Sequence, residues 1–124
     1  MMTLSITDWA YQKSKLNPNP EWNELITTLE NADLLLTLAS DKNCPQRPSI
    51  LRCLYSLVGT SASKHVYADI AKINVLLEKA QSSSDSIILN WVNRSRIILR
   101  DLRKYDYTEW CKGGFSQQDL PIVN

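Results

Sequence analysis

A chain of 124 residues is long enough to bury one core unaided, and its 22% charged and 44% apolar residues exclude a disordered polymer. A formal net charge of +1 excludes a strong field of either sign, and with it an electrostatic reason to expect a polyanion partner. Three glycines are too few for the tight turns of a β-sandwich or barrel, and no apolar run reaches the length of a membrane span.

Residues 1–20 read as an N-terminal arm. The first residues lack the basic start and apolar run of a secretory leader. Cys44, Cys53 and Cys111 are an odd number at no framework spacing. Together these features make the cytoplasm the expected compartment and free thiols the expected state. Within the arm, Thr7 is placed to cap one turn carrying Trp9 and Tyr11. "NPNP" at 17–20 then breaks regular structure, because each proline restrains the residue before it.

One helical domain is predicted over 21–115. Pro20 suits a first helical position, with Asn19 as cap. Trp22, Leu25, Ile26 and Leu29 follow on one helical face. Residues 21–40 fit one helix, or two with Asn31 capping the second. Leu34, Leu35, Leu36 and Leu38 cover so much circumference that burial on several sides is expected. After a loop at 40–48, a helix with Pro48 near its first turn carries Ile50, Leu51, Leu54, Tyr55, Leu57 and Val58. It is apolar almost all round, so it belongs mid-core, and Gly59 suits its left-handed stop.

"TSAS" supplies caps for a helix over 62–81. Its seam is Val66, Ile70, Ile73, Leu77 and Ala80. A hinge at "QSSSD" offers Ser83 and Ser84 as caps. The last long helix, 85–104, is predicted to bury Ile88, Trp91, Val92, Ile98, Leu99 and Leu102. "DYTEWC" adds a turn capped by Asp106 or Thr108 and stopped at Gly113, and 116–124 is a C-terminal tail. No segment reads as a strand. The predicted fold is all-α: a compact bundle of four to six mostly antiparallel helices. Stacked helical hairpins are the alternative, but no repeat period supports them.

Few constellations carry chemistry. Cys44, Cys53, Cys111 and His65 lack the close pairs of a structural zinc site. Cys111 has no catalytic signature around it, and His65 is the only imidazole. Gly59 stands alone and Gly113 precedes no helix, so no phosphate-cradling loop exists. Asp106 and Glu109 share a helical face, as a paired-carboxylate site requires. The same spacing makes a capping box, and that reading is preferred. No metal and no cofactor are expected.

Two surfaces remain. Arg96, Arg100, Arg103 and Lys104 lie on one face if the helix continues, with Tyr105 and Tyr107 following, so that face can hold a polyanion. Asp106, Tyr107, Glu109, Trp110 and Phe115 form an amphipathic patch in which Trp110 either braces the turn or anchors a partner. The function expected is that of a small, non-enzymatic helical protein that contacts another protein: an adaptor, an immunity-protein or antitoxin type of partner, or a small subunit. Self-association through the Val66–Ala80 seam belongs to the same reading. The alternative is a nucleic-acid-binding protein using the basic face. No membrane partner is expected.

Overall fold

The computed structural model describes residues 5–12 and 17–113. The described residues hold seven α-helices, one 3-10 turn and no strand, so the fold is the all-α bundle that the periodicity predicts. None of these helices is long and apolar enough to cross a membrane.

Helix α1 (Ile6–Tyr11) is capped by Ser5, whose hydroxyl accepts from the Asp8 N–H; Thr7 lies inside the helix instead of before it. The arm is therefore in part a docked element. Trp9 and Ala10 are fully buried. Trp9 meets Trp22 edge to face at 5.6 Å, and the Ala10 carbonyl accepts from the Gln46 N–H at 3.2 Å.

Residues 21–40 form two helices, α2 (Trp22–Ile26) and α3 (Ala32–Ala39). The Asn31 side chain donates to the Ile26 carbonyl, which satisfies the end of α2 rather than the start of α3. Pro20 lies in the turn before α2, and Glu21 holds the cap position. The predicted stripe fails at Leu25, which is 59% exposed, and α2 ends before it reaches Leu29. Leu34 also faces solvent, while Leu35, Leu36 and Leu38 are buried.

Helix α4 (Arg47–Lys64) runs through the middle and packs against α2, α3, α5 (Tyr67–Gln81), α6 (Ser86–Arg100) and α7 (Tyr107–Cys111). Ile50, Leu51, Leu54, Tyr55, Leu57 and Val58 are all buried, as predicted. Each such side chain stabilises the fold by about 1.5–3 kcal/mol relative to exposure. Gly59 does not stop the helix. Ser61 and Ala62 are buried beyond it, so one more turn forms, and His65 takes the left-handed position at φ 54°. Gly59 instead admits the Tyr105 ring: a Cβ there would collide with Tyr105 Cε1 and Cδ1.

The last long elements also differ from the predicted boundaries. Helix α5 starts at Tyr67, with Val66 extended and exposed before it. The side buried against the core is Ile73, Leu76, Leu77 and Ala80. Asp85, not Ser83 or Ser84, caps α6 by accepting from the Ile87 N–H at 3.0 Å. Its carboxylate also pairs with Arg47, whose Nε–H donates to the Ala39 carbonyl at 2.8 Å. One arginine thus joins the end of α3, the start of α4 and the start of α6. Helix α6 ends at Arg100, because Asp101 turns extended and caps the 3-10 turn Leu102–Lys104 through the Arg103 N–H.

Gly59→Ala is expected to destabilise the protein by about 1–2 kcal/mol, since overpacking against Tyr105 outweighs the gain in helix propensity. In a Tyr105→Ala background the same change should become neutral or stabilising. Chemical denaturation of the four-member cycle checks the sign reversal.

Candidate functional site

The C-terminal turn is built around Tyr55. Trp110 stacks on the Tyr55 ring at 4.6 Å with planes 4° apart, and Tyr105 stacks on it at 5.1 Å. The Tyr55 hydroxyl accepts from the Asp106 N–H at 2.8 Å. The Trp110 indole N–H donates to the Leu51 carbonyl at 3.2 Å. Asp106 caps α7 by accepting from the Glu109 N–H at 3.0 Å. Glu109 does not return the capping-box bond; it accepts from the two terminal nitrogens of the Arg94 guanidinium at 2.5 and 3.1 Å. Arg94 also lies 5.8 Å above the Trp110 ring.

This arrangement assigns the bracing role to Trp110. Its exposure is 0%, so it has no surface to offer a partner. Asp106 and Tyr107 are exposed and Glu109 is half-buried, while Phe115 lies outside the described residues. The predicted patch therefore loses its aromatic centre. Asp106 and Glu109 are adjacent; one is a cap and the other an arginine partner.

The basic face is divided. Arg96 donates to the Gln81 side chain across to α5, and Arg100 sits at the last position of α6. The helix then stops, so Arg103 and Lys104 do not continue the face. Arg103 is held by both oxygens of Asp101, at 2.9 and 3.1 Å. That ion pair keeps the Asp101 carboxyl below its ordinary range.

Two of the three thiols, those of Cys44 and Cys53, are buried. Burial pushes both Cys44 and Cys53 upward, away from the thiolate. Tyr107 lies near Cys111, and loss of water followed by a hydrogen bond to that thiol pushes the phenol up to about 12. His65 is exposed at the end of α4, ten residues and thus about 15 Å of helix beyond Tyr55, on which α7 docks. Cys111 and His65 are therefore not brought together. Among the described residues no three His, Cys, Asp or Glu side chains form a metal-binding group.

A different surface stands out on α5. Tyr67 is 91% exposed and Val75 61%, with Ala71 exposed between them. Steps of four place all three on one helical face, opposite the buried Ile73, Leu76, Leu77 and Ala80. Ala71 and Val75 also line a groove of about 310 Å³ with Leu29, Ala32 and Leu76, edged by Asp33 and Lys72. The single seam expected for this helix, Val66, Ile70, Ile73, Leu77 and Ala80, does not include this face. The available signal was a second apolar repeat, Tyr67–Ala71–Val75, on the side that the seam leaves open.

Compared with known protein families, characterised proteins and solved structures, the chain matches none.

Trp110→Ala is expected to cost about 3–5 kcal/mol of stability, as for a large aromatic removed from a core. Thermal and denaturant unfolding measure this loss, which an exposed anchor would not produce. In an alkaline spectrophotometric titration, Tyr107 and Tyr11 should both ionise late, near pH 12, Tyr11 because its hydroxyl donates to Asp41 at 2.6 Å. A phenol raised in the folded state contributes stability below its ordinary pKa and loses that contribution as pH rises through the folded value. Tyr107→Phe should therefore shrink the late part of the titration and leave the early part unchanged.

Proposed function

We propose that the protein works by protein contact, without chemistry of its own, and that the outward face of α5 is the contact surface. The observation that carries this reading is the exposure of Tyr67 and Val75 beside an apolar groove. Singly exposed apolar residues are ordinary, but this set is contiguous, aligned on one helix and continuous with a concavity. Tyrosine is a favoured interface anchor: it brings a large apolar ring at little entropic cost and a hydroxyl for its rim. Three free cysteines fit a reducing compartment, which supports the cytoplasm as its location. Nucleic-acid binding draws less support, because the cations are split between two elements and one of them is neutralised by Asp101.

The test is affinity capture from the native host, with the captured proteins identified by mass spectrometry. A Tyr67→Glu, Val75→Glu double variant is compared with wild type, and nuclease treatment runs in parallel. Both substitutions fall on solvent-facing positions, so the circular dichroism spectrum should not change. The expected result is a specific protein lost by at least about tenfold in the variant, as when interface anchors are removed. Retention of that protein by the variant, or capture that disappears with nuclease, would contradict the reading.

A further inference from the structure

The outward face of α5 is self-complementary. When two α5 helices lie antiparallel across a two-fold axis, positions equidistant from the axis meet. With the axis at Ala71, Tyr67 lies four residues before it and Val75 four residues after it. Each Tyr67 ring then rests on the partner's Val75, which lines the groove with Leu29, Ala32 and Leu76. Tyr67 does not line its own groove, so the knob and the hole on one chain are separate and both are available. Ala71 at the crossing is small enough to let the two helices approach closely.

The charges agree with this direction of packing. Glu78 is exposed one turn beyond Val75. Antiparallel pairing brings each Glu78 toward the positive N-terminal end of the partner's α5. Parallel pairing would set Glu78 against Glu78.

We infer that the partner for this face is a second copy of the same chain, joined as a two-fold dimer through α5 with Tyr67 seated in the partner's α3/α5 groove. The inference rests on the reading of α5 as the contact face. A short helical stripe is a small interface, so the dimer forms reversibly at roughly micromolar concentrations or above.

The test uses Ala71, the only position that faces itself. Ala71→Glu and Ala71→Lys are both made at this exposed site, and folding is checked by circular dichroism. Mass is measured by sedimentation and light scattering from about 1 to 300 µM, a range that spans weak association. Wild type should rise toward twice its 14.2 kDa chain mass. Each variant alone should stay monomeric, because like charges meet at the axis. The equimolar mixture of Ala71→Glu and Ala71→Lys chains should recover the dimer, since the new carboxylate of one chain then meets the new ammonium of the other. A wild type that is monomeric throughout overturns the inference, as does a dimer that both variants leave intact or a mixture that fails to recover. If wild type is monomeric while a different protein is captured through Tyr67 and Val75, the contact reading stands and only self-pairing falls. If wild type is monomeric and nothing is captured, both fall.

Discussion

The structure depends on α4, against which five other helices pack. Its middle residue of consequence is Tyr55, a fully buried phenol whose ring carries two aromatic neighbours and whose hydroxyl anchors the chain at Asp106. A buried hydroxyl needs a partner, and the Asp106 N–H supplies one from the far end of the chain. Gly59, one turn further along, gives Tyr105 the room to reach the same ring. A helix packed against five others fixes where those helices can lie, and the Arg47–Asp85 pair holds its first turn to α3 and α6. Stripping one partner from that buried ion pair would leave a charge uncompensated, so the pair acts as a positional lock more than as a source of net stability.

This constraint explains why the indole at the centre of the most conspicuous segment of the sequence is buried. "DYTEWC" concentrates aromatics, acids and a thiol because a short terminal turn has little area with which to hold itself down. Trp110 supplies most of that area, Asp106 caps the turn, and Glu109 engages Arg94. The residues that looked most chemical are those most occupied with structure.

The helical class, the central place of α4, its buried set and Ile88, Trp91, Val92 and Ile98 on α6 were legible from periodicity, because burial imposes a repeat that side-chain chemistry alone reveals; Leu99 and Leu102 are only partly buried, and Leu102 lies past the end of α6. Boundaries were not. Gly59 signals a stop only if its missing Cβ is needed for left-handed backbone, and here it was needed for Tyr105. Ser83 and Ser84 are as good caps as Asp85 until Arg47, thirty-eight residues upstream, selects the carboxylate. The basic stripe from Arg96 to Lys104 assumed a helix that Asp101 interrupts with its own cap, a choice between two local hydrogen-bond patterns that spacing cannot rank. Val66–Ala80 read as one seam because apolar residues occur on both sides of α5, and only the fold decides which side the core takes. The side left over carries Tyr67, Ala71 and Val75, and a small protein that keeps such a stripe in water pays for it unless something covers it.

Contact through α5, and not through the C-terminal turn or the arginines, is what everything proposed of this protein rests on. Its self-pairing form is addressed residue by residue by backbone amide NMR spectra over a dilution series. Concentration-dependent shifts are predicted to concentrate at Tyr67, Ala71, Val75 and the groove residues Leu29 and Ala32, with Asp106, Tyr107 and Arg100 unmoved. Shifts centred on Asp106 and Tyr107, with α5 silent, would contradict it.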